Sequence, residues 1–129
     1  IAEEFDWYVA ISRGGLIPTA LLSYITQVRK IDTFCIFSYQ ENQNQSSFTI
    51  IPKDYHHLRN QRVLLIDDLT DSGQTLACAK KYLTPYLLKT LKTAVIYKKK
   101  ESFFLSDYYI EEKEPHKWID FFWEINQDI

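Results

Sequence analysis

The sequence predicts an α/β protein, a largely parallel twisted sheet flanked by helices, and three observations predict it. Segments rich in β-branched and aromatic residues alternate along the chain with segments of helical spacing, the pattern of β–α–β units. Arg62-Val-Leu-Leu-Ile66 is a continuous apolar run, as expected of a strand buried on both faces of a parallel sheet. Turns follow directly on two of the strands, at Ser12-Arg13-Gly14-Gly15 and Asp71-Ser72-Gly73. In such sheets ligands bind beyond the C-terminal ends of the strands, which is where both turns fall.

In order, Trp7-Tyr-Val-Ala-Ile11 reads as the first strand. From Leu16 to Val28 the residues Ile17, Ala20, Leu21, Tyr24, Ile25 and Val28 recur at helical spacing, with Pro18 in the first turn, where its missing N–H is harmless. Thr33 to Tyr39 is the second strand. The polar stretch Gln40 to Ser47 is expected to be a mobile hairpin tip, and Phe48-Thr-Ile-Ile51 its returning strand. A helix is predicted from about Gln74 to Tyr82, stopping before Pro85. Lys92 to Tyr97 and Asp107 to Ile110 complete the strands.

A chain of 129 residues has room for one domain with a real core. Its net charge of −2 argues against a nucleic-acid binder. Cys35 and Cys78 lie in apolar runs without metal-ligand spacing and read as reduced core residues, which points to a cytoplasmic protein. The remaining Tyr and Phe residues read as core. His56, His57 and His116 form no metal-ligand spacing with either cysteine, and His56-His57 reads as a surface connector. No apolar stretch approaches the ~18 residues of a membrane span, so neither an integral segment nor a signal peptide is expected. The chain has no Met and opens at Ile1 just ahead of an apolar run, so a native N-terminal segment is expected to precede it.

The chemistry concentrates in Val63-Leu-Leu-Ile-Asp67-Asp68-Leu69-Thr70-Asp71-Ser72-Gly73-Gln74-Thr75. A buried strand delivers two acids to its tip, and a helix begins after a short turn. The first amides of a helix have no internal partners and lie at the positive end of its dipole. The backbone from Ser72 to Thr75, with two hydroxyls, can therefore hold a phosphate. Asp67 and Asp68 would repel a bare phosphate; they fit a ligand that also offers sugar hydroxyls or a Mg²⁺. A strand–turn–helix using Asp71 or Ser72 merely as a cap needs one such residue, not six in register.

This segment resembles the ribose-5-phosphate signature of type I phosphoribosyltransferases, and every defining position is filled. The resemblance extends over nearly the whole chain. Val9 to Pro18 is similar to the pyrophosphate loop of 6-oxopurine enzymes, specifically bacterial xanthine–guanine phosphoribosyltransferases. There the residues matching Arg13 and Gly14 contact pyrophosphate through an unusual peptide bond, often cis. Ser38-Tyr39 and the polar tip resemble the catalytic loop that closes over the ligands and excludes water. That loop usually carries an arginine, and none stands between Gln40 and Ser47; Gln45 or Ser46 occupies the matching region. Lys98 matches the lysine that donates to the purine 6-oxo group, against a competing reading as part of the solvated run Lys98 to Lys100. Trp118 matches the residue that stacks on the purine and Ile119 the backbone near its 2-position, although aromatics this dense also serve as core.

The resemblance implies a type I phosphoribosyltransferase fold with a flexible hairpin loop and a small C-terminal hood at about 98–129. The implied reaction moves 5-phosphoribosyl from Mg²⁺-bound phosphoribosyl pyrophosphate to N9 of guanine, xanthine or hypoxanthine, a purine salvage step. Arg13, Gly14 and Asp67 through Thr75 would bind phosphoribosyl pyrophosphate, Asp68 would touch the metal, and Asp71 would manage the purine proton near N7. A homodimer or homotetramer is implied as well. Two alternatives are a non-catalytic sensor of phosphoribosyl pyrophosphate on the same fold and a phosphoribosyltransferase for another base.

Overall fold

The structure, a computed structural model, describes residues 4–42, 45–70, 73–99 and 107–113. Its elements are β1 (Trp7–Ser12), α1 (Leu16–Thr26), β2 (Ile31–Asn42), β3 (Gln45–Ile50), β4 (Arg62–Thr70), α2 (Gln74–Leu83), β5 (Thr90–Lys99) and β6 (Tyr108–Lys113), with short 3-10 turns at His56–Leu58 and Thr84–Tyr86. Six strands form one sheet in the order β3-β2-β1-β4-β5-β6. β2 and β3 pair antiparallel and every other neighbouring pair is parallel. From β1 the chain winds outward to β2, and from β4 it winds the other way to β5. The order therefore reverses between β1 and β4, and the crevice beyond their C-terminal ends is the natural ligand site.

β4 is buried on both faces, as its unbroken apolar run predicts. Val63 and Leu65 face Val9, Ile11, Phe34 and Ile36 under Leu76, Ala79 and Leu83 of α2. Leu64 and Ile66 face Phe5, Tyr8 and Ala94, with Leu22 of α1 packed alongside. None of these four β4 side chains is more than 3% exposed. Burying an aliphatic side chain contributes about 1.5–3 kcal/mol, so this strand anchors the sheet while its acidic tip projects from the rigid centre.

Three expectations need correction. The helix predicted to Val28 stops at Thr26, because Gln27 turns left-handed at φ 67°. Its buried residues are Pro18 and Thr19, whereas Leu21, Tyr24 and Ile25 are 50%, 81% and 79% exposed. The reason lies at Gly15, whose Cα rests against the Ile66 and Ile11 carbonyls. Thr19, one turn further on the same face, meets the sheet at close range, where small side chains fit and the apolar stripe does not. Second, the hairpin is strand for most of its polar stretch, with Gln40 opposite Ser46 and Asn42 opposite Gln45. Pairing satisfies backbone groups whatever the side chains' polarity. Third, Cys35 and Cys78 are free thiols but only partly buried, and Tyr24, Phe37 and Tyr109 are exposed rather than core.

Candidate active site

Three segments meet at the crevice. The first is the loop after β1. Gly15 N donates to Ile11 O at 2.7 Å and Leu16 N to Arg13 O at 3.0 Å, folding residues 12–15 back onto the sheet before α1 starts. The cis peptide bond here joins Ser12 to Arg13, one bond earlier than the resemblance places it. The second is the tip of β4, where Asp68 N donates to Asp67 Oδ1 at 2.8 Å. The third is the start of α2. Gly73 caps it at φ 82°, a left-handed conformation that disfavours other residues, and Ala77 N bonds back to Gly73 O at 3.0 Å. A glycine cap brings no side-chain oxygen of its own to the amides of the first turn.

Between them lies a cavity of about 630 Å³, within the range of small-ligand sites. Arg13, Gly14, Asp67, Asp68 and Thr75 line it, together with Ser12, Cys35 and Phe37. Asp67 is only 8% exposed. Burial first, and then the adjacent Asp68 charge, push its carboxyl well above the ordinary carboxylate range, against the opposing pull of the Asp68 N–H bond. Two crowded acids in a cleft, one of them buried and resisting ionisation, are a candidate functional site.

The structure thus brings together Arg13, Gly14, Asp67, Asp68 and Thr75. The backbones of Leu69 and Thr70 extend β4, and Thr70 pairs with Lys98 in the register of β5, so Lys98 stands on the strand beside the cradle. Gly73 and Gln74 form the cap and first residue of α2. Ser38 and Tyr39 lie in β2, paired with Phe48 and Ser47 of β3. Asp71, Ser72, Trp118 and Ile119 lie outside the described residues. Sequence reasoning missed Ser12, Cys35 and Phe37 as cavity residues. Cys35, Ile36 and Phe37 all line the cavity, so side-chain alternation does not separate them from the core. They reach it because β2 pairs with β1 and sets Cys35 beside Ser12, a pairing no local sequence pattern reports.

An acid-lined cavity at the switch point of a doubly wound sheet is where enzymes of this architecture hold their ligands. A family model described as phosphoribosyl transferase domain matches residues 1–128, and the chain belongs to that family of transferase enzymes. It is 35% identical over 125 residues to a xanthine-guanine phosphoribosyltransferase of Chromohalobacter salexigens, covering 97% of this chain and 72% of the relative. A xanthine-guanine phosphoribosyltransferase of Idiomarina loihiensis is 27% identical, with 97% and 74% covered. Among solved structures, a purine phosphoribosyltransferase from Pyrococcus horikoshii superposes with a TM-score of 0.83 at 29% identity, covering 97% of this chain and 81% of that one. No helix among the described residues is long and apolar enough to cross a membrane.

Proposed function

We propose that this enzyme transfers 5-phosphoribosyl from phosphoribosyl pyrophosphate to N9 of a 6-oxopurine, with release of pyrophosphate. The observation that carries the reading is that Arg13, Gly14, Asp67, Asp68 and Thr75 line one cavity together, at the start of α2. The names of the two curated relatives support a 6-oxopurine acceptor.

The donor set suits Mg²⁺. Two neighbouring carboxylates make no protein-only cage, but Mg²⁺ typically takes one or two carboxylates and completes its shell with water and substrate oxygens. Asp68 would hold the metal, which when bound offsets the charge of the pyrophosphate. The chain's own residues do the rest. Arg13 and the Gly14 backbone bind the departing pyrophosphate. The segment Ser72 to Thr75 fixes the 5-phosphate at the positive end of α2. Asp67 and Asp68 accept from the ribose hydroxyls, with Leu69 and Thr70 carrying the backbone from the acids to the turn. Asp71 takes the purine proton, Lys98 donates to the 6-oxo group, and Trp118 with Ile119 closes on the base. Ser38 and Tyr39 exclude water from the ribosyl centre. Positioning and electrostatics supply most of the rate enhancement.

The test is incubation with phosphoribosyl pyrophosphate and guanine, xanthine, hypoxanthine, adenine or uracil, with Mg²⁺ or with chelator. Nucleotide should form from oxopurines only and only with metal, since a site built to hydrogen-bond a substrate group rejects analogues lacking it. Tight binding of phosphoribosyl pyrophosphate without turnover of any base would favour a sensor instead.

A further inference from the structure

Gly14 and Gly15 are adjacent, yet what stands over each differs in kind. A Cβ on Gly15 would strike the backbone carbonyl of Ile66 and come within 2.8 Å of the Ile11 carbonyl, neither of which can move without moving a central strand. A Cβ on Gly14 would meet a side chain instead: Cγ, Oδ1 and Oδ2 of Asp68, each at 2.5 Å. Equal distances to all three atoms place that Cβ over the flat of the carboxylate, not at its edge. The bare Cα of Gly14 therefore bounds the space in which the Asp68 carboxylate can lie. Across that contact, the loop after β1 touches the acid at the tip of β4.

We infer that Gly14 is a positioning residue for Asp68: the absence of a side chain at 14 lets the carboxylate lie flat beneath the loop and face the cavity, so loop and acid act as one unit. The inference rests on the proposed reading of Asp68 as the residue that meets Mg²⁺ and the ribose of phosphoribosyl pyrophosphate. It adds that Gly14 is required beyond its backbone amide. Alanine keeps that amide, so a role confined to the amide would tolerate Gly14→Ala. A positioning role would not, because the short Asp68 side chain must swing aside to admit a methyl group.

The experiment compares the full chain as wild type, Gly14→Ala, Asp68→Ala and the double variant. It measures thermal midpoint, calorimetric binding of phosphoribosyl pyrophosphate across a Mg²⁺ titration, and the crystal structure of Gly14→Ala. Displacing a group that orients a metal ligand typically costs about 10–100-fold in metal affinity. Gly14→Ala is expected to fold with a near-wild-type midpoint, to need at least about tenfold more Mg²⁺ for half-maximal binding, and to show the Asp68 carboxylate rotated away. Asp68→Ala removes the obstacle, so the double variant should bind as Asp68→Ala does, the non-additivity of two residues acting through one contact. Gly15→Ala serves as the contrast, losing thermal stability. Wild-type Mg²⁺ dependence in Gly14→Ala, or losses that add in the double variant, would overturn the inference. If wild type itself ignored Mg²⁺, the proposed function would fall. The crystal structure would still decide the steric coupling, which is refuted if Asp68 keeps its place beside Ala at 14.

Discussion

At the N-terminal end of the sheet Asp6 and Asp32 each meet cations, whereas at the C-terminal end Asp67 and Asp68 stand side by side. Asp6 accepts from Arg62 Nε at 3.0 Å, Nη2 at 2.8 Å and the backbone N at 2.8 Å, and these bonds hold its carboxyl far below the usual range. Partial burial pushes Asp32 upward, but Lys53, the Thr33 amide at 2.7 Å and His57 Nε2 at 2.6 Å outweigh it and hold it down. Among the described residues no ion pair involves Asp67 or Asp68, and Asp67 is pushed up. Acids matched by the fold are structural; acids the fold leaves crowded in a cleft are the candidates for a ligand. Natural proteins sacrifice stability at such sites.

The largest effect expected at the crowded end is on Asp71, whose side chain the comparison would add to the functional acids. As a cap it would be replaceable by Asn, which also caps well. As a general base it would not, since losing such a base costs about 10²–10⁴-fold in rate. Asp71→Asn should fold, bind phosphoribosyl pyrophosphate, and lose at least about a hundredfold in kcat with guanine or xanthine. Unchanged turnover would return Asp71 to the structural class.

A smaller effect reads occupancy of the cavity directly. Cys35 lines it and Cys78 packs against the core beneath α2, and both are free thiols. At ligand concentrations about tenfold above Kd roughly a tenth of the protein stays free. Mg²⁺ with phosphoribosyl pyrophosphate should then slow iodoacetamide labelling of Cys35 by up to about tenfold and leave Cys78 unchanged, as peptide mass spectrometry would show. Equal rates at Cys35 with and without ligand would move the ligand out of this cavity.

What the sequence made legible divides along the same axis. The order of elements and the buried β4 were readable because apolar runs and periodicity report burial directly. That Asp67, Asp68 and Thr75 share one cavity was readable because they lie close together in the chain. The exposed stripe of α1 was not readable. Helical spacing predicts a helix but not which face a close glycine contact presses to the sheet. Phe37 and Cys35 reach the cavity only through strand pairing, and the matched acids Asp6 and Asp32 depend on partners 56 and 21–25 residues away.

The third prediction turns on the sign of the Asp67 effect. A buried acid with a raised pKa binds its proton more tightly folded than unfolded. Stability therefore falls as pH rises from the ordinary carboxylate range, ~4, through the folded value. Asp67→Asn removes the charge and keeps an oxygen to accept from Asp68 N–H. It should raise the thermal midpoint by a few degrees near neutral pH, the gain growing from pH 4 to 8, while activity falls. A variant less stable than wild type at pH 8 would place Asp67 among the structural acids.

The smallest effect belongs to the other end, and there the sign reverses. Asp6 ionises more readily folded than unfolded, so its contribution is complete above ~4 and is lost as pH falls toward the lowered folded value. The pair is bidentate, which strengthens it, but Asp6 and Arg62 side chains remain 30% and 38% exposed, which screens it. Asp6→Ala should therefore cost about 1 kcal/mol at neutral pH, visible as a lower denaturant midpoint. The cost should shrink below pH ~4, where wild type loses the same interaction by protonation. Because Asp6 precedes β1 and the cavity lies past the opposite ends of the strands, kcat should be unchanged. A penalty that persists undiminished at low pH would mean that Asp6 contributes by packing rather than by charge, and the contrast between the two ends would fail on that side.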